Sequence, residues 1–239
     1  MIKIFRNVGV FVLLGAASAS FAAAQSPSGK RNERPAAAAE KPTVKAIASA
    51  ATHTYEFTRP GFSYGRILIE HDDAGVGQIS FLKDASEETI TDPVKLSSVT
   101  LGKISATLDE MNFLDSTEDY QYPKDFAHLG NVSFTLKRGT KSRTVKYNWT
   151  DHKAARALMD EYRRIGNEHT WRFEILLARQ NMPLQTPSLM EAFEAYYRRG
   201  EISDPAGLTP FLTELSNDER LPLIARNRAS KILKEINKK

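Results

Sequence analysis

Hydrophobic and polar positions alternate with a period of two in two stretches of the chain, and each reads as a β-hairpin. In the first, Gly65-Arg66-Ile67-Leu68-Ile69-Glu70-His71 is strand-like, Asp72-Asp73-Ala74-Gly75 makes the turn, and residues 76–83 resume with Ile79 and Phe81 on one face. In the second, Val132, Phe134 and Leu136 alternate with Ser133, Thr135 and Lys137. The turn is Arg138-Gly139-Thr140, and Val145 and Tyr147 return against Thr144 and Lys146. One face of each hairpin is therefore apolar and the other wet. A further strand over residues 90–96 is confined to a sheet edge, because Pro93 cannot donate to a ladder.

Between and after the hairpins the period changes to that of a helix. Ser98 is the expected cap of a helix in which Leu101, Ile104, Leu108 and Met111 fall within about an 80° arc. A long helix over residues 152–179 gathers Ala155, Leu158, Met159, Tyr162, Ile165, His169, Phe173, Leu176 and Leu177 on an arc of about 120° that should face the sheet. Trp171, Ile175 and Ala178 form a second apolar stripe on its opposite side, confined to the C-terminal half. Something other than the sheet has to cover it.

Three short helices follow the break at Met182-Pro183. Thr186-Pro187 opens the first, which stops at Gly200; Asp204-Pro205 opens the second; the third spans residues 221–236. Leu208, Phe211, Leu212, Leu215, Asp218, Arg226, Ala229, Ile232, Leu233 and Ile236 together resemble one HEAT repeat, with its aspartate at the inter-helix turn and its arginine and alanine in the second helix. The gap from Asp218 to Arg226 is about two residues longer than usual and Pro222 is an insertion. The resemblance implies a scaffold or contact surface, whereas the periodicity alone is equally met by a helical hairpin capping the long helix. The hairpin, helix, hairpin, helix portion is similar in layout to small exported bacterial domains. The expected fold class is α+β: an antiparallel sheet built from two β-hairpins with packed helices, plus a C-terminal helical hairpin.

The N-terminal quarter changes the picture of the compartment. Lys3 and Arg6, the apolar run over residues 8–14 and the small residues ending Ala22-Ala23-Ala24 have the three-part layout of a signal peptide, with cleavage expected before Gln25. The apolar part is too short to span a bilayer, so no stable membrane span is expected after cleavage. Residues 25–52, rich in alanine, serine, proline and lysine and without an aromatic residue, read as a disordered tether. The layout is then signal peptide 1–24, tether 25–52, α+β domain 53–180 and C-terminal helical segment 181–239. The protein is expected to be exported, to the periplasm or the exterior of a bacterium.

Charge and composition exclude more than they assign. From His53 onward 26 Lys and Arg face 27 Asp and Glu, so the excess behind the net charge of +4 lies in the signal and tether, and nucleic acid is not expected as a partner. With no cysteine in the chain, disulfides, thiolate metal sites, cysteine nucleophiles and covalently attached haem are ruled out. His71, Asp72, Asp73, His128, His152 and His169 lack the spacing of a metal site, and His169 sits mid-stripe where a core histidine is expected. Gly75-Val76-Gly77 lacks the third glycine and following helix of a dinucleotide loop. Neither a metal nor a cofactor is expected.

Gly61-Phe62-Ser63-Tyr64-Gly65 fits the nucleophile-elbow string, but a strand follows where the elbow needs a helix. The stretch with most binding character is residues 115–129, where Asp115, Glu118, Asp119 and Asp125 are interleaved with Tyr120, Tyr122 and Phe126 in an unusually long connection. Carboxylates beside rings suit a polar ligand, a cationic peptide or a sugar; a plain crossover loop packed over the sheet edge is the bland alternative. The expected function is a non-catalytic, protein- or ligand-binding envelope module that uses this loop and the C-terminal helices. The competing class is an exported hydrolase using Ser63 or a carboxylate pair.

Overall fold

The computed structural model describes residues 52–83 and 88–238. The expected signal peptide, and the tether up to Ala51, lie outside the described residues. Six antiparallel strands form one sheet: β1 (Thr52–Thr58), β2 (Tyr64–Asp72), β3 (Val76–Lys83), β4 (Thr89–Lys95), β5 (Asn131–Arg138) and β6 (Lys141–Tyr147), in the order β4-β3-β2-β1-β5-β6. The helices are α1 (Ser98–Glu110), α2 (Lys153–Asn181), α3 (Thr186–Arg199), α4 (Thr209–Asn217) and α5 (Leu223–Ile236). The α+β class and the two hairpins are as the alternation predicts. β4 is an edge strand, which leaves Pro93 its one tolerable place in a sheet.

The strand that periodicity did not resolve, β1, is the one that joins the hairpins. It pairs with β2 on one side, Tyr55 opposite Ile69, and with β5 on the other, Tyr55 opposite Phe134. Its inward face is His53, Tyr55 and Phe57, and only two of these three are conventional apolar rings. Two glycines are fixed by close approach. A Cβ on Gly77 would lie 1.8 Å from the Glu70 carbonyl oxygen across the hairpin, and one on Gly130, at φ +84°, would meet the Phe57 ring at 2.7 Å.

α1 and the first half of α2 cover one face of the sheet. Ile104 and Leu108 from α1, and Leu158, Tyr162 and Ile165 from α2, pack on Tyr55, Ile69, Ile79, Phe81 and Phe134. The helix begins one residue earlier than the sequence suggests, because Ser97 rather than Ser98 accepts the Thr100 N–H. The opposite sheet face is polar, and its cross-strand pairs include Arg66 with Glu56 at 2.6 Å and Thr135 with Thr144 at 2.8 Å.

Within the first core four rings form a chain: His53 stacks on His71 at 4.5 Å, His71 on Tyr162 at 5.9 Å, and Tyr162 on Tyr55 at 4.9 Å. The Nε2 of His71 lies 2.8 Å from the Tyr162 hydroxyl, and its Nδ1 lies 2.7 Å from the Asp72 carbonyl oxygen. The chain ends at an acid, since His53 Nε2 lies 2.9 Å from the Asp73 carboxylate.

The second stripe of α2 is covered by the C-terminal helices. Trp171 and Ile175 are buried among Met190, Phe193, Phe211 and Leu212, with the Trp171 ring 4.0 Å from Phe193 and its indole N–H donated to the Leu189 carbonyl at 3.0 Å. Leu176 packs in this second core rather than on the sheet, and Leu177 is exposed, so the sheet-facing stripe ends near Phe173. α4 and α5 form the expected hairpin. Asp218 at their turn pairs with Arg179 of α2 and with Arg220, and these guanidiniums, Arg220 first, hold its carboxyl well below the usual carboxylate range.

Candidate functional site

The connection from α1 to β5 is ordered by side chains of β6 and of the segment after it. Arg143 donates to the carbonyl oxygens of Phe113 at 2.7 Å and Glu118 at 2.5 Å, and its guanidinium lies about equally far from the Phe113 and Tyr120 rings, at 5.0 and 5.2 Å. Further along, Gln121 and Asn148 bond reciprocally. Gln121 Nε2 donates to Asn148 Oδ1 at 3.0 Å, and the Asn148 backbone N–H donates to Gln121 Oε1 at 2.9 Å. The Tyr122 N–H then donates to the Trp149 carbonyl at 2.9 Å, so the loop runs alongside the entry to α2.

This pinning separates the residues that the sequence groups together. Tyr120 is 3% exposed and belongs to the first core, edge-on to Tyr147 and His152. Tyr122, two residues on, is half-buried and lines a surface groove. A regular strand would put both on one face; the turn in which the Asp119 carboxylate accepts the Gln121 N–H breaks that periodicity. Asp115 is paired with Lys141, Glu118 lies 3.6 Å from His152, and Asp125 accepts from the Asn148 amide. The four carboxylates therefore hold four different partners and act chiefly as braces of the loop.

The groove, of about 500 Å³, is lined by Tyr122, Phe126, His128, Leu129, Trp149 and Asp151. Phe126 is its centre, with ring centroids of Tyr122, His128 and Trp149 at 6.1, 6.2 and 5.9 Å. Lys124 lies 5.2 Å from the Phe126 centroid and Arg156 4.4 Å from that of Trp149, so cations already sit over two of the rings. A groove of this kind offers stacking faces, a carboxylate and an imidazole to a ligand. Sequence reasoning found Tyr122 and Phe126 but not Trp149 and Asp151. These follow β6, and the hydrogen bonds of Gln121, Tyr122 and Asp125 with Asn148 and Trp149 bring them to the loop.

Ser63 occupies the exposed turn between β1 and β2, with a strand following it, so the elbow context is absent. Among the described residues no three His, Asp or Glu side chains are grouped to hold a metal ion, and no helix is long and apolar enough to cross a membrane. Compared with known protein families and with curated proteins, the chain matches none.

Proposed function

We propose that the protein is a non-catalytic envelope module, exported by the signal at its N-terminus, which binds a saccharide in the aromatic groove. The observation that carries this reading is the cluster of Tyr122, Phe126 and Trp149 at the surface, beside Asp151 and His128, on a loop that the rest of the fold holds in place. Aromatic faces stack on the C–H face of a sugar ring, and the carboxylate and imidazole suit its hydroxyl groups. A cationic peptide fits less well, because Lys124 and Arg156 already bring positive charge beside Phe126 and Trp149. The C-terminal helices, whose pattern resembles a HEAT repeat, serve on this reading as the scaffold that fixes α2.

Calorimetric titration of the N-acetylglucosamine trimer into the protein tests the reading. Saturable binding that weakens at least about tenfold, or about 1.4 kcal/mol, in Trp149→Ala supports it. Absence of binding to this and to other neutral oligosaccharides, or binding indifferent to Trp149, overturns it.

A further inference from the structure

A second cavity, of about 770 Å³, opens where α2 passes from the sheet core to the helical core. Its lining is apolar at Val94 and Leu96 by the β4 edge, Ile165 on α2 and Leu208 before α4, and charged at Glu168 and Arg172, which share the Ile165 face of α2, and at Asp204 on the connection from α3 to α4. A buried seam beside it holds these elements together: Ser203 Oγ donates to Glu161 at 2.7 Å and lies 2.7 Å from the Thr100 hydroxyl, while Lys103 reaches both Glu161 and the Ser203 carbonyl.

The charged groups of the cleft are not spent on one another. Arg172 forms no salt bridge with a described carboxylate, and its guanidinium rests 5.1 Å from the Phe211 ring centroid. Glu168 accepts the Asp204 backbone N–H at 3.3 Å through one carboxylate oxygen, which fixes the acid against the loop, and Asp204 accepts the Gly207 N–H at 3.1 Å through one of its own. Glu168 and Arg172 are four residues apart on α2, which puts both on one face about one turn apart, with their Cβ atoms roughly 5–6 Å from each other.

We propose that this cleft binds a free α-amino acid with a large apolar side chain: the carboxylate on Arg172, the ammonium between Glu168 and Asp204, and the side chain against Val94, Ile165 and Leu208. The one-turn spacing suits charges carried on a single carbon and is too short for the two ends of a peptide. Opposite charges on the protein also neutralise both ends of the zwitterion, so neither is buried unpaired.

The proton inventory agrees with this geometry. Burial, with the Asp204 and Glu161 carboxylates adding to it against Arg172, raises Glu168 to about 7, so an arriving ammonium favours its ionised form. Lys95 also lines the cleft, but its ammonium donates to the Ala74 carbonyl, and Lys103 faces Glu161. His169, lowered to about 4 by burial and by Arg172, faces the site as a neutral ring at pH 7.

The test titrates L-leucine, leucinamide and N-acetyl-L-leucine into the full chain by calorimetry at about pH 7 in two buffers of different ionisation enthalpy. L-leucine is expected to bind saturably with release of a proton. Both blocked forms, and the variants Arg172→Gln and Glu168→Gln, should be at least about tenfold weaker, while each variant keeps a single cooperative unfolding transition. Equal binding of N-acetyl-L-leucine, which marks a plain anion site, overturns the proposal. So does a wild-type affinity retained in Arg172→Gln, or no saturable binding of leucine or phenylalanine up to about 10 mM.

Discussion

The guanidinium of Arg143 lies 5.2 Å from the centroid of the Tyr120 ring while donating to the carbonyl oxygens of Phe113 and Glu118. One β6 side chain thus closes the acidic half of the loop over a tyrosine that belongs to the core. Tyr120 and Tyr122 consequently do different work, and their replacement separates stability from binding. Tyr120→Ala should cost about 3 kcal/mol and Arg143→Ala about 2 kcal/mol in urea unfolding. Tyr122→Ala should cost under about 1 kcal/mol and weaken saccharide binding instead.

Acid should destabilise the fold through its buried histidines. Burial lowers His71 and His169 to about 4, and lowers His53 as well, whereas in the unfolded chain each titrates near 6.5. The unfolded state therefore takes up protons that the folded state refuses. Stability is intact above about pH 6.5 and falls as the pH drops toward about 4, by about 3 kcal/mol for His71 alone. Glu168 acts in the opposite sense: raised to about 7, it favours the folded state at low pH and gives up that contribution as the pH rises through about 7, which blunts the slope above pH 4.5. Urea midpoints measured across this range should fall on acidification, and His71→Asn should flatten the curve.

Trp171 carries the junction between the two cores. It is 2% exposed, stacked on Phe193 and edge-on to Phe211 at 5.8 Å. Trp171→Ala should cost about 4 kcal/mol, and hydrogen exchange should show the loss concentrated in α3, α4 and α5 rather than in the sheet.

Gly77 has no room for a methyl group. Because a Cβ there would fall 1.8 Å from the Glu70 carbonyl oxygen, Gly77→Ala should cost at least about 3 kcal/mol by forcing β3 off β2. Gly139→Ala, in the open turn between β5 and β6 at φ +60°, serves as the contrasting variant, with a cost of about 1 kcal/mol from backbone conformation alone.

Much of this architecture is legible in the chain. Alternation marks β2, β3, β5 and β6, and the two stripes of α2 announce both the sheet and a second covering layer, which Met190, Phe193 and Phe211 supply. β1 is hidden because its inward face is written in His53 and Tyr55, residues whose polar atoms mask their burial, and because half of its pairing is with β5, some eighty residues on. The groove is half visible. The rings of Tyr122 and Phe126 stand out in the loop, but nothing local tells Tyr122 from the buried Tyr120, or brings Trp149 beside them. His169 reads as a core residue from its place in the stripe, and the structure puts it in the wall of a cleft, because the sheet ends before the helix does.

The central claim is that the aromatic groove takes a saccharide, and the two tryptophans of the chain offer a direct test. Trp149 lines the groove, whereas Trp171 is buried in the helical core with its indole N–H bonded to the Leu189 carbonyl. In a nitrogen-15-labelled sample titrated with the N-acetylglucosamine trimer, the indole signal of Trp149 should shift progressively and saturate while that of Trp171 stays in place. Two unmoved indole signals, or equal shifts of both, would contradict the account.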